Sequence, residues 1–227
     1  MPNETRVTQE RVQRHPERGI YDRASIDAIL DEGLVGHVGF THDGRPVVIP
    51  TLYARDGDRL YIHGSPASRM LGALANGGEL CLTVTLLDGL VLARSAFHHS
   101  ANYRSVVVFG TARRVDDAEE KLHALEAFTE HVTPGRWVDV RPPDARELDA
   151  TTVLALTLDR ATAKVRSGPP GDDRRDARSG AWAGVLPLRL EAGDPEPDAL
   201  VPDGVAAPAY VREYRRGSVP HDEGDDG

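Results

Sequence analysis

The segment Tyr61-Ile62-His63-Gly64-Ser65-Pro66-Ala67-Ser68-Arg69 joins an apolar run to the start of a helix, with two serines and an arginine in the turn. Free backbone N–H groups and the positive end of a helix dipole favour an anion at such a place. Hydroxyls from Ser65 and Ser68 and the planar guanidinium of Arg69 would add charge-assisted hydrogen bonds suited to a phosphate. The plainer reading makes Ser65 the helix cap, Pro66 the first helical residue and Arg69 a surface cation. No GxGxxG or Walker-type loop is present, so a dinucleotide or P-loop site of the usual kind is not expected.

A second group lies in Ala96-Phe97-His98-His99-Ser100-Ala101-Asn102-Tyr103-Arg104-Ser105, where polar and aromatic residues share one strand-to-strand connection. Adjacent histidines point to opposite faces of a strand, and neither His37 nor His63 completes an HxH or HExxH spacing. A small-molecule rim of Ser100, Asn102 and Tyr103 is therefore expected rather than a metal site. In Ala163-Lys164-Val165-Arg166-Ser167-Gly168, strand alternation puts Lys164 and Arg166 on one face. They would grip an anionic ligand, line a subunit joint, or form an ordinary solvated face. Cys81 sits among apolar neighbours as an inert thiol, and no GxSxG elbow supports nucleophilic catalysis. Trp182 stands in an apolar island within a polar tail and reads as its anchor to the body or to a partner subunit, and Trp137 reads as a packing residue.

The elements that must hold these groups are mostly strands. Asp22-Arg23-Ala24-Ser25 opens a short helix with Ile26, Ile29 and Leu30 on one face and Gly33 as its stop. Runs at 34–41, 45–54 and 59–63, separated by Asp43-Gly44 and Asp56-Gly57, read as an antiparallel meander. A helix from Ser65 runs through Met70, Leu71 and Leu74 to Asn76-Gly77-Gly78. Runs at 79–87 and 90–97 flank Asp88-Gly89 as a third hairpin, and a long strand covers 103–115. Asp116 caps a helix to about 132 with Leu122, Leu125 and Phe128 as its stripe, and 152–158 and 161–166 are the last strand pair. Five strands before the first long helix predict a mainly β fold with flanking helices, an antiparallel closed or nearly closed barrel, rather than a doubly wound sheet. The chain divides into a polar lead-in over 1–20, a barrel domain over 21–190 and an acidic Pro/Gly-rich tail over 191–227.

Composition bounds the partners. The 227 residues carry 27 cations and 36 anions, a net charge of −9, a poor footprint for nucleic acid. Only Lys121 and Lys164 are lysines, and the remaining cations are arginines, so any single arginine is weak evidence for function. The lone Cys81 excludes an internal disulfide. No apolar run long enough to span a bilayer and no apolar leader segment is visible, so no membrane association and a cytoplasmic location are expected.

The run Leu92-Ala93-Arg94-Ser95-Ala96-Phe97-His98-His99-Ser100-Ala101-Asn102-Tyr103-Arg104-Ser105-Val106 resembles the signature of a bacterial flavin-nucleotide-binding group of the pyridoxamine 5'-phosphate oxidase-like superfamily, related to Nim-type nitroimidazole reductases. Gly44-Arg45-Pro46-Val47-Val48-Ile49-Pro50, Tyr61-Ile62-His63-Gly64-Ser65, Ser68-Arg69, Pro134-Gly135-Arg136, Ala163-Lys164-Val165-Arg166 and Trp182-Ala183-Gly184-Val185-Leu186-Pro187-Leu188 match in order, so the resemblance covers about residues 20–190. It implies an FMN-binding split-barrel homodimer with flavin at the subunit interface. The phosphate would lie by Ser68 and Arg69, with Tyr61, Ile62 and His63 on the strand above and the backbone of Val48, Ile49 and Pro50 along the ring edge. Ser100, Asn102, Tyr103 and Arg104 would approach the same ring or phosphate. Lys164 and Arg166 would come from the other subunit, and Trp182 would close the site.

The chemistry implied is two-electron transfer at flavin N5, as an oxidoreductase acting on a small organic, nitroaromatic-type substrate with a nicotinamide electron donor. His63 is the catalytic candidate, as proton donor or substrate contact, beside the alternative of a buried structural histidine. Departures from the oxidase pattern are clear: Met70 stands where a lysine follows the serine-arginine pair, Pro50 replaces an FMN-contacting lysine, and the C-terminal substrate motif has no match. Oxidation of pyridoxamine phosphate is therefore not expected. Relatives of this barrel also use FAD, heme or the deazaflavin F420, and a flavin- or heme-binding storage or sensor protein is the alternative function.

Overall fold

The computed structural model describes residues 11–215, so half of the polar lead-in and the end of the acidic tail lie outside the described residues. After a two-residue strand β1 (Gly19–Ile20), Asp22 caps helix α1 (Arg23–Glu32) by accepting from the Ser25 amide at 2.9 Å. Strands β2 (Val35–His42) and β3 (Arg45–Leu52) turn through Asp43-Gly44, both at positive φ as a tight primed hairpin requires. The expected third arm of the meander goes elsewhere. Tyr53 breaks the run, and β4 (Ala54–Asp56) and β5 (Arg59–Gly64) belong to a second sheet. The break is pinned by the buried Tyr53 hydroxyl, which donates to the Leu30 carbonyl at 2.5 Å.

Helix α2 (Arg69–Ala75) starts later than expected: Ser68, not Ser65, is the cap, accepting from the Leu71 amide, and Pro66 lies in the preceding turn. Asp88-Gly89 is not a hairpin turn. Strand β6 (Glu79–Leu92) runs straight through it with a bulge between Leu87 and Gly89, paired with β7 (Ser100–Thr111) on one side and β11 (Gly184–Pro187) on the other. Glycine is needed there for close approach, since a Cβ at Gly89 would lie 3.0 Å from the Leu186 carbonyl oxygen. Strand β8 (Arg113–Arg114) leads to helix α3 (Ala118–Val132), capped by Asp117. A short helix α4 (Ala145–Asp149), strands β9 (Thr152–Thr157) and β10 (Ala161–Arg166), and helix α5 (Ala209–Arg212) complete the described chain.

Two antiparallel sheets result, a seven-stranded one ordered β1-β10-β7-β6-β2-β3 with β11 on β6, and a four-stranded one ordered β4-β5-β9-β8. The main core fills the space between them. Val38, Phe40, Leu80, Leu82, Val84, Val106 and Val108 face Leu60, Ile62, Leu154 and Leu156, with α1 and α2 adding Ile26, Leu30, Leu71 and Leu74. This is a split barrel, mainly β with flanking helices. A smaller cluster on the outer side of the four-stranded sheet packs Tyr61, Val153 and Ala155 under Ala124 and Leu125 of α3. The tail is tied back on the body: β11 pairs with β6, Tyr210 donates to Asp139 and accepts from Arg136, and Tyr214 donates to the Val132 carbonyl. Among the described residues no helix is long and apolar enough to cross a membrane.

Candidate functional site

Strand alternation decides which site residues share a surface. In register, His37 faces Pro50 and Thr83, Gly39 faces Val48 and Cys81, and Tyr103 faces Leu87 and Arg166. These residues look away from the core, so the outer face of the seven-stranded sheet collects Val48, Pro50, Tyr103, Lys164 and Arg166. That face is apolar in its middle and open: Val48 is 64% exposed, Leu87 50%, Val35 44% and Leu52 41%. Ile49 points the other way, into the core.

Other candidates lie elsewhere. Ile62 is buried in the main core, which leaves its backbone as its only contact group. Tyr61 and His63 face α3 instead of the open sheet. The Tyr61 hydroxyl reaches Glu120 at 3.4 Å, and the His63 ring meets the Phe128 ring edge-on with centroids 4.2 Å apart. Burial holds the His63 imidazole below the ordinary histidine range, so it is neutral at pH 7. Ser68 spends its hydroxyl on the α2 cap, while Arg69 is exposed and has no side-chain partner among the described residues.

Arg104 does a different job from the one expected. Its guanidinium is held bidentately by Asp88 at 2.8 and 3.0 Å and by both oxygens of Glu32, so it ties the end of α1 to the β6 bulge. The two carboxylates raise its pKa further and leave no fork for a phosphate. Asn102 is buried, accepts from Arg166 and donates to the Gly168 carbonyl. Trp182 is 68% exposed, and its ring folds back over Gly184, so β11 pairing and not this indole anchors the tail within the chain.

Two clefts border the open face. One, of about 1030 Å³, is lined by Arg14, Arg18, Lys164 and Arg166 together with His98, His99 and Ser100. Four permanent cations meet there against the single carboxylate of Glu17, in a chain of net charge −9. Arg94 and Asp172 clamp its rim, the carboxylate accepting from the Arg94 amide at 3.0 and 3.1 Å. Nearby, His98, Asp173 and Asp176 bring one ligand-type atom each to within 4.8 Å of one another, but Asp173 is exposed and already paired with Arg175 at 3.2 Å. The other cleft, of about 1310 Å³, is lined by Val35, His37, Leu86, Leu87, Leu188 and Leu190, with tail arginines at its edge. In the sequence His37 is only a histidine without a metal spacing. Its one local signal is its place between Val35 and Gly39 on the outward face of β2.

The family model for pyridoxamine 5'-phosphate oxidase matches residues 22–165, the segment that builds both sheets except β1, the last residue of β10 and β11. The chain belongs to the pyridoxamine 5'-phosphate oxidase family. Among solved structures, the flavocytochrome Anf3 from Azotobacter vinelandii is 42% identical with a TM-score of 0.85, covering 91% of this chain and 96% of that one. An FAD and heme binding protein from Mycobacterium smegmatis is 38% identical with a TM-score of 0.83, covering 86% of this chain and 96% of that one. A 5-nitroimidazole antibiotic resistance protein from Bacteroides thetaiotaomicron is 28% identical with a TM-score of 0.54, covering 65% of this chain and 86% of that one. Among curated proteins, none is similar to the chain at a significant level.

Proposed function

We propose that this member of the pyridoxamine 5'-phosphate oxidase family is a flavin-nucleotide oxidoreductase that works as a homodimer and also carries heme. The observation that carries the reading is the open face of the seven-stranded sheet, apolar at Val48, Pro50 and Leu87 and cationic at Lys164 and Arg166. Two relatives above 35% identity are described as a flavocytochrome and as an FAD and heme binding protein. The residues present suit a flavin: an apolar shelf for the ring, and cations with hydroxyl groups for phosphate. Distance supports the dimer. Strand β3 and strand β10 are four strand spacings apart, about 19 Å along the sheet, so one chain cannot enclose a ring lying on Val48–Pro50 with its own Lys164 and Arg166. A second copy laid across the open face brings those cations, and Trp182, over the first copy's β3.

When bound, the flavin supplies hydride chemistry at N5, between a nicotinamide donor and a small organic acceptor. The chain's own part is to hold and shield. Val48 and Pro50 support the ring edge, Arg69 with the helix-start amides beside Ser68 neutralises phosphate, and the partner's cations complete the charge. His63, neutral and packed edge-on against Phe128 away from both clefts, serves as a buried structural histidine rather than as the proton donor. The cation cleft holds more charge than one monophosphate needs beside Arg69, which favours FAD over the FMN implied by the sequence resemblance.

The test is the absorption spectrum of the protein as isolated, followed by chromatography of the released flavin. Flavin bands bleached by NADH or NADPH, with a Soret band, support the reading, and FAD in the released fraction settles the form. A colourless protein that neither flavin nor hemin stabilises overturns it, and flavin that no nicotinamide reduces removes the reductase part.

A further inference from the structure

At the rim of the cation cleft stands a set of side chains that flavin binding does not use. His98, Asp173 and Asp176 each bring one ligand-type atom to within 4.8 Å of the other two. We propose that these three residues bind a zinc ion, which clips the tail segment at 172–178 to the connection between β6 and β7. The proposal holds whether or not the chain carries flavin or heme.

Two short helices present the set. His98 is the last residue of a 3₁₀ turn, Ala96–His98, in the β6–β7 connection. The aspartates belong to a second 3₁₀ helix, Arg174–Arg178, with Asp173 at its N-cap. At three residues per turn, positions three apart stand one above the other. Asp173 and Asp176 therefore share one edge, and Arg175 and Arg178 share another. A neighbour outside the set holds the two helices together. The Asp172 carboxylate accepts from the Arg94 amide at 3.0 and 3.1 Å and from the Arg94 guanidinium at 3.0 Å. No sequence spacing announces the site, because folding joins its halves across β7, β9 and β10.

The donor atoms are uncommitted. An N-cap aspartate ordinarily turns its carboxylate onto the first-turn amides. Asp173 makes no such bond, and its carboxylate lies 3.9 Å from His98 Nε2, beyond hydrogen-bond length. Asp176 is half-buried, and its carboxylate has no hydrogen bond or salt bridge among the described residues. Two carboxylates on one edge disfavour each other's charge. The arginine paired with them, Arg175 on Asp173 at 3.2 Å, is 83% exposed, and such surface pairs are weak.

One imidazole nitrogen with two carboxylate oxygens is a mixed set that suits zinc, whereas calcium and magnesium take oxygen ligands. Ligand atoms around a tetrahedral zinc stand about 3.4 Å apart. The 3.9 Å between His98 and Asp173 closes to that by a small side-chain rotation. Three protein ligands, with Asp173 on the solvent side, leave the fourth position to water. Of the three, only His98 lines the cation cleft, so the ion sits at its edge and not among its arginines.

The test is a zinc titration of metal-free, full-length protein against a chromophoric zinc indicator. Wild type, His98→Ala, Asp176→Asn and His99→Ala are compared, with thermal melting to show that each is folded. Wild type is expected to bind one zinc ion per chain, and His99→Ala should match it. Affinity should fall at least about tenfold in His98→Ala and in Asp176→Asn, since even an outer partner of a metal ligand is worth that much. Zinc should also slow tryptic cleavage after Arg174, Arg175 and Arg178 in wild type and not in Asp176→Asn. Wild type that takes up no zinc overturns the proposal, as does undiminished affinity in folded His98→Ala or Asp176→Asn. Loss confined to His99→Ala moves the ion to another imidazole and overturns it too, and cleavage that zinc leaves unchanged overturns the clip.

Discussion

The two clefts share one sheet face and differ in almost everything else. The smaller is edged by the segment before β1, the connection at 97–100 and the end of β10, and it gathers Arg14, Arg18, Lys164 and Arg166. The larger is edged by the start of β2, the β6 bulge and the C-terminal tail, and it gathers leucines around His37. A sheet face is a neutral platform; the chemistry of each end is set by whichever segments the topology brings to its border. The floors differ as well. Under the apolar cleft, Arg104 holds Glu32, the His131 ring lies against the Gly33 carbonyl and the Tyr53 hydroxyl donates to the Leu30 carbonyl, and a Cβ at Gly33 would collide with a Val84 methyl. The cation cleft is clamped chiefly by Arg94 and Asp172 at its rim.

This contrast can be broken or sharpened by experiment. The largest effect is expected from the double variant Lys164→Gln/Arg166→Gln. Loss of two charge-assisted contacts of roughly 1.5 kcal/mol each lowers flavin affinity about a hundredfold. Fluorescence titration reads it, and unchanged affinity would place the flavin away from the cation cleft. Next comes Arg69→Ala, expected to weaken flavin binding at least tenfold for the loss of one contact of roughly 1.5–3 kcal/mol. Unchanged affinity would place the phosphate away from the α2 start.

Smaller effects concern the supports. Arg104→Ala leaves Glu32 and Asp88 facing each other in a half-exposed network and is expected to cost about 1–2 kcal/mol of stability by urea denaturation. Flavin affinity should hold, because its guanidinium is already consumed. The smallest is a pH slope. His63 is buried neutral, with its native pKa below 6.5. The unfolded chain therefore takes up a proton that the native state refuses as pH falls through about 6.5, so His63 makes stability decline toward acid. Urea midpoints between roughly pH 5 and 7 should decline less steeply in His63→Gln than in wild type. Equal slopes would show that His63 titrates freely and is not packed as described.

Much of the fold is legible along the chain. Asp22 and Asp43-Gly44 read correctly because caps and primed turns are local chemistry. The strand at 161–166 reads correctly because alternation and flanking Gly-Pro signals agree. Asp88-Gly89 misled because the same dipeptide that closes a hairpin also permits a bulge, and the neighbour that made it a bulge, Leu186, lies far along the chain. Ser65 and Ser68 are equally good caps by type, and only the packing of Met70, Leu71 and Leu74 into the core chose the later one. For the site, Lys164 and Arg166 were visible as a same-face pair. Arg104 was not separable from them, since its partners Glu32 and Asp88 come from two other elements.

Sequence alone determines the family, the strand faces and the absence of a nucleic-acid footprint, because family motif, alternation and net charge are properties of the chain itself. Tertiary structure alone decides that 45–54 splits between two sheets at Tyr53, that Arg104 is a tie and not a ligand, and that the tail walls a cleft around His37. Each of these depends on partners far apart in the chain, and what an imidazole or a guanidinium can do is set by the groups folding places against it.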